Sequence, residues 1–241
     1  MPEQHDLKSA FLQHKISCST EVEKAFLKFL EIFMEWNMKI NLSALRNEKD
    51  VIEKHFIDSL LVTQFFNFSG QKILDLGTGG GFPSIPLSLY YQHNKNEVLD
   101  ISSMDATRKK IVALQDMSQI LKASIQTLNG RAEDFGNTPK YREKFDIVLT
   151  RAFAPWPVLL ELALPFLKVG GKLIAYQSPA IKEDVENFKN VSMKLGGGDI
   201  KIHSCFLGED IERIFVEVSK TKPCPKSYPR KTGIPKKTPL S

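Results

Sequence analysis

The residues best placed to do chemistry lie in one run, Ile73-Leu74-Asp75-Leu76-Gly77-Thr78-Gly79-Gly80-Gly81-Phe82. Its apolar start reads as a strand, and its glycines read as a turn that opens a helix. Gly77 permits the tight turn, Gly79 lets the backbone approach a ligand, and Gly81 lets the helix begin against the strand. Such a loop suits a nucleotide-like ligand. A dinucleotide loop has the spacing G-x-G-x-x-G and offers bare helix N–H groups to a pyrophosphate. Here the spacing is G-x-G-x-G, and the acid Asp75 stands before it. A carboxylate suits an ammonium better than a pyrophosphate. S-adenosylmethionine carries an ammonium and no phosphate, so it is favoured over a dinucleotide or a purely structural turn.

An acid ending the next strand would accept hydrogen bonds from a cofactor ribose. Asp100 and Asp105 compete for that place. Asp100 falls inside the expected strand, where an unpartnered carboxylate is costly. Asp105 falls at its end and is preferred. After the third expected strand, Arg131-Ala132-Glu133 fits contact with adenine through backbone N–H groups and the Glu133 side chain.

The methyl acceptor of such a fold sits after the fourth strand, at Arg151-Ala152-Phe153-Ala154-Pro155-Trp156. The Asn/Asp-Pro-Pro-aromatic motif of adenine N6 chemistry is absent there, and so is the cysteine nucleophile of cytosine C5 chemistry. Phe153 and Trp156 either stack a flipped-out base or pack a helix start. Arg151 is expected at the cofactor carboxylate or at the base. His55 and Asp58 are three apart on an expected helix and imitate a catalytic pair, but they read as structural. No catalytic acid or base is assigned.

The elements that must position these residues alternate from Lys72 onward. Strands are expected at 72–76, 97–104, 124–128, 145–149, 171–176, 200–207 and 213–219, with helices at 84–91, 107–121, 157–167 and 182–195. The connection 208–212 is too short for a parallel crossover, so the last two strands should pair antiparallel. The fold class is therefore α/β, by analogy a seven-stranded Rossmann-like class I methyltransferase sheet, mostly parallel, with N-terminal helices. Three segments follow: a helical extension at 1–70, a cofactor-binding domain at 71–219 and a basic tail at 220–241. In the extension, Thr20 with Glu23 forms a capping-box pattern, and Asp50 is a candidate cap for the next helix.

The net charge is +5, but its distribution is uneven. Residues 218–241 carry seven basic side chains and no acid, so the rest of the chain nets −2. A cationic tail on a near-neutral body points to a polyanion such as RNA, or else to a solvated terminus. No apolar run is long enough for a membrane span. Cys18, Cys205 and Cys224 are too scattered for a disulfide framework or a metal site. A cytoplasmic protein without metal is expected.

With these segments in view, the chain resembles the glucose-inhibited division protein B family. The resemblance is carried by Trp36-Asn37-Met38-Lys39-Ile40-Asn41-Leu42, His55-Phe56-Ile57-Asp58-Ser59-Leu60, the glycine loop, Arg131-Ala132-Glu133 and Arg151-Ala152. It continues in Tyr228-Pro229-Arg230-Lys231-Thr232-Gly233-Ile234-Pro235-Lys236-Lys237-Thr238-Pro239-Leu240. The family methylates a guanine of 16S ribosomal RNA at N7, using S-adenosylmethionine. The resemblance implies cofactor contacts at Gly77, Phe82, Ala132, Glu133 and Arg151, with Asp105 at the ribose. It implies 16S ribosomal RNA or the small ribosomal subunit as partner, with the protein acting as a monomer. The tail then reads as an arm on RNA phosphates, through Arg230, Lys231, Lys236 and Lys237, separable from the cofactor site. Two departures stand out: the segment 91–97 is long, and Gln177-Ser178 replaces the usual lysine and glycine. The competing readings are a methyltransferase for a small molecule or protein, and a ribosome assembly factor without turnover.

Overall fold

The computed structural model describes residues 7–241. Two N-terminal helices come first, α1 (Leu7–Gln13) and α2 (Thr20–Ile40). Ser19, not Thr20, caps α2; its extended backbone lets Oγ accept the Val22 N–H at 3.2 Å. Val22, Phe26, Phe29, Leu30 and Phe33 then fall on one buried face. The next helix, α3 (Glu48–Val51), starts two residues before the expected cap. Asn47 holds the cap position and accepts from the Asp50 N–H at 2.7 Å. Asp50 is therefore inside the first turn, where it pairs with Lys54. A π-helical turn, Ile52–Ile57, leads into α4 (Asp58–Leu60).

The alternating part runs β1 (Lys72–Leu76), α5 (Ser84–Asn94), β2 (Asp100–Asp105), α6 (Arg108–Leu121), β3 (Ile125–Asn129), α7 (Ala132–Phe135) and β4 (Phe145–Arg151). It continues with α8 (Trp156–Ala163), β5 (Leu167–Gln177), α9 (Ile181–Asn187), α10 (Lys189–Lys194), β6 (Gly197–Leu207) and β7 (Ile211–Lys220). A last short helix, α11 (Ile234–Lys237), lies in the tail. The strands form one sheet in the order β3-β2-β1-β4-β5-β7-β6. The first five run parallel, and β7 pairs antiparallel with both β5 and β6. The long 91–97 segment only extends α5 by a turn; β2 still ends at Asp105. Gln177 closes β5 opposite Ile214 of β7.

The sheet separates two cores. On one face, Phe11, Phe26, Phe29, Phe33 and Phe56 of the extension pack with Ile73, Ile101, Ile147 and Ile174 of the strands. On the other face, α8, α9 and α10 cover Leu74, Val148, Leu173 and Val216. The extension and the sheet thus share a single apolar core, which fixes the helices against the strand ends. No described helix is long and apolar enough to cross a membrane.

Candidate functional site

The chain leaves β1 for β2 and β3 on one side, then returns to place β4 on the other. Ligands of open α/β sheets bind at the carboxyl ends of strands around such a reversal. A cleft of about 390 Å³ opens there. Its walls come from four strand ends: Leu76-Gly77 after β1, Met104 to Ala106 at β2, Gly130 to Glu133 after β3, and Ala152 to Pro155 after β4.

Gly77 and its neighbour Thr78 donate both backbone N–H groups to the Met104 carbonyl, at 2.9 and 3.0 Å, so the turn is strapped onto β2. Gly77 has φ +82°, and a Cβ there would lie 2.3 Å from the Phe153 ring. Backbone conformation and space both demand glycine. Phe153 is half-buried and lies over this turn, lining the cleft. Gly79 has φ +56° and open space around it; its N–H donates to Asp105 Oδ2 at 3.1 Å. Asp105 ends β2, lines the cleft and also accepts the Thr107 N–H at 2.7 Å. Asp100, its rival, is exposed at the opposite end of the same strand. Ala132 and Glu133 open α7 on the cleft wall. Glu133 is buried, and its Oε1 accepts the Gly233 N–H from the tail at 3.1 Å.

Other expected site residues lie elsewhere. Asp75 is fully buried behind the turn, where Oδ2 accepts the Ser84 N–H at 3.3 Å. Its Oδ1 has no hydrogen-bond partner among the described residues. Burial pushes its pKa up to about 7, against the pull of bonds from Thr78 and Ser84. Phe82 sends its ring into the aromatic cluster of the extension, stacked on His55 at 4.4 Å and edge-on to Phe33 at 5.1 Å. Arg151 points the same way. Its Nη2 pairs with Asp58 Oδ2 at 2.8 Å and donates to the Lys54 carbonyl. The same nitrogen lies 3.2 Å from His55 Nδ1. Nδ1 also lies 3.1 Å from the Lys54 carbonyl, and Nε2 meets Ser43 Oγ at 2.7 Å, so both ring nitrogens are engaged. Burial, then the Arg151 cation, holds the His55 pKa at about 3. His55 is thus neutral and Asp58 is an anchor, shared with Arg213.

Trp156 is expected at a base, but only 2% of it is exposed and its indole packs with α8 in the second core. The reason is local: Pro155 and Pro157 start the helix there, and the ring turns inward. Arg230, expected on RNA, is held by a carboxylate of the protein. Its Nε and Nη2 reach Glu161 at 2.9 and 2.6 Å, and Glu161 is fully buried. Lys231 and Lys237 are exposed. Lys236 lines the cleft itself.

Two participants escaped the reading of the sequence, and a third, Ala152, was read only as part of the acceptor loop. Lys110, in the first turn of α6, lines the cleft. Ala152, at φ +50°, turns the chain so that Phe153 covers Gly77. Glu161 anchors the tail; the signal for it was one acid inside the otherwise apolar run Val158 to Phe166.

The comparisons bear on the family and the fold. Ribosomal RNA small subunit methyltransferase G of Clostridium novyi is 39% identical over 218 residues, covering 89% of this chain and 88% of the relative. The protein of that name from Streptococcus pyogenes is 39% identical over 227 residues, covering 93% and 94%. Among solved structures, a methyltransferase from Pyrococcus furiosus matches with TM-score 0.54 at 17% identity, over 81% of this chain and 98% of that one. A SAM-dependent methyltransferase from Aquifex aeolicus matches with TM-score 0.51 at 13% identity, over 70% and 92%. The last two show the fold alone. The family model described as rRNA small subunit methyltransferase G matches residues 22–213, and the chain belongs to that family, GidB.

Proposed function

We propose that the protein transfers a methyl group from S-adenosylmethionine to N7 of a guanine in 16S ribosomal RNA. One observation carries the reading: Gly77, Asp105 and Ala132-Glu133 meet at one cleft at the sheet's reversal point, in a chain of the GidB family. The residues fit the cofactor. The cleft has the size of a small-molecule site. Asp105 and Glu133 offer carboxylates to hydroxyl and amino groups. When bound, the cofactor supplies an electrophilic methyl on a sulfonium.

The rest falls to the chain. Asp105 accepts from the ribose, Ala132 and Glu133 hold the adenine, and Gly77 and Gly79 let the backbone close on the ligand. Asp75, buried behind the turn, holds it from below by accepting the Ser84 N–H. Phe82 and Arg151 support the site from behind, through the packing of the extension on the turn. Phe153 stacks the guanine, and Lys231 and Lys237 meet RNA phosphates. Guanine N7 has a free lone pair, so positioning replaces proton removal. We retain the three segments as a functional division: extension, cofactor domain, RNA-facing tail.

The test is methylation of small-subunit RNA with labelled cofactor, followed by borohydride reduction and aniline cleavage. A single cleavage at a labelled guanine is expected. Label without cleavage would move the acceptor to another atom.

A further inference from the structure

The tail does more than carry charge to the surface. From Tyr228 to Thr238 it is bonded along its length to the elements around the adenosine end of the cleft. Arg142 Nη1 donates to the Tyr228 carbonyl at 2.7 Å, and Asn137 Nδ2 donates to the Pro229 carbonyl at 2.9 Å. Arg230 gives Glu161 four bonds, one from its backbone N–H, two from Nε and one from Nη2. Thr232 Oγ1 donates to Asp134 Oδ1 at 2.9 Å, and the Gly233 N–H donates to Glu133 Oε1 at 3.1 Å. Arg230 Nη2 also reaches the Thr238 carbonyl at 2.8 Å, which folds the strap back on itself. Gly233 has φ +87°, which aims its N–H at Glu133 and is a backbone state that other residues rarely adopt. The strap delivers Lys236 to the cleft wall that also holds Asp105 and Glu133, whereas Lys237 lies outside that wall.

We propose that residues 228–238 are a wall of the cofactor site, with Arg230 and Gly233 as positioning residues for the Glu133 carboxylate and Lys236 as a direct contact at the adenosine end. The proposal rests on reading the cleft as the S-adenosylmethionine site. Glu133 without the Gly233 N–H is free to rotate away from the adenine wall. Arg230 sets where Gly233 lies, because its partner Glu161 is fully buried in α8. Lys236 adds a charged donor opposite the ring and ribose acceptors. A tail serving RNA alone would leave cofactor affinity untouched.

The two neighbouring lysines make the test, in the full chain at fixed ionic strength. Calorimetry with S-adenosylmethionine and separately with adenosine would compare wild type, Lys236→Ala, Lys237→Ala and Arg230→Lys, with thermal melts of each apo protein. Lys236→Ala should weaken both ligands about fivefold to tenfold, as expected for one charged hydrogen bond, with an unchanged melt. Lys237→Ala should bind both as wild type does. Arg230→Lys keeps the charge but loses the fork. It should weaken S-adenosylmethionine and adenosine by the same factor, since the loss lies at the adenosine end. Wild-type affinity in both Lys236→Ala and Arg230→Lys would overturn the strap as a wall while leaving the cofactor reading intact. A wild-type protein that binds neither ligand would overturn both.

Discussion

Two arginines tie terminal segments to the alternating domain, and they are not equivalent. Arg151 meets Asp58 of the N-terminal extension, and Arg230 meets Glu161 of α8 from the C-terminal tail. Both carboxylates are buried, so both need cations. Asp58 has two, because Arg213 of β7 takes its other oxygen. Glu161 has Arg230 alone among the described residues. One end of the molecule is anchored redundantly and the other by a single pair. What a buried charge costs therefore depends on how many partners remain after one is lost.

The largest effect expected is from Arg230→Ala, which strands Glu161 in an apolar helix. About 3–5 kcal/mol of stability should go, measured by urea unfolding. Arg151→Ala should cost less, about 1–2 kcal/mol, because Arg213 still serves Asp58. Removing Arg151 and Arg213 together should bring the loss up to that of Arg230→Ala. Equal losses for the two single variants would break the comparison.

In activity the order reverses. Arg151→Ala should lower kcat/KM for RNA methylation by about one to two orders of magnitude, as it frees the extension behind the glycine turn. Wild-type kinetics would remove Arg151 from the site.

Asp75 sharpens the contrast, since among the described residues no cation pairs with it and Arg151 acts on it only from a distance. The folded pKa of Asp75, about 7, lies above the ordinary aspartate value of 3.8. The folded state therefore holds a proton that the unfolded chain has released. Its contribution is full below about pH 4 and is lost as pH rises through about 7, on the order of a few kcal/mol. Melts of wild type and Asp75→Asn should diverge across that window, with the wild type losing ground toward alkaline pH. Parallel melts would contradict the shift. The smallest effects belong to the free lysines. Lys231→Ala and Lys237→Ala should each flatten the log–log salt dependence of RNA binding by about one unit and leave the fold unchanged.

The sheet was legible because alternation and glycine punctuation are local. All seven strands lie where the apolar runs place them, and the short 208–212 link announces the antiparallel end. Asp105 was legible for the same reason, being at a strand end. The caps at Ser19 and Asn47 were missed by one and three residues, because several polar side chains near each start are competent and only backbone dihedrals choose. Side-chain direction was not legible either. Phe82, Arg151 and Trp156 occupy sequence positions beside the site, yet each turns into a core or an ion pair formed by distant residues. The tail was read from its charge, and charge does not reveal an acid 69 residues upstream waiting inside a helix.

That separation has a consequence for synthesis. Glu161 is made 69 residues before its cation, in a helix whose other residues are buried. While the chain emerges from the ribosome, α8 must carry either a protonated acid or an unsealed face, so the second core stays loose until Arg230 arrives. A chain interrupted between Lys220 and Arg230 would hold every strand of the sheet and still expose a sticky, half-packed helix. Quality-control proteases would meet that species as an unfinished product, although its fold is nearly complete.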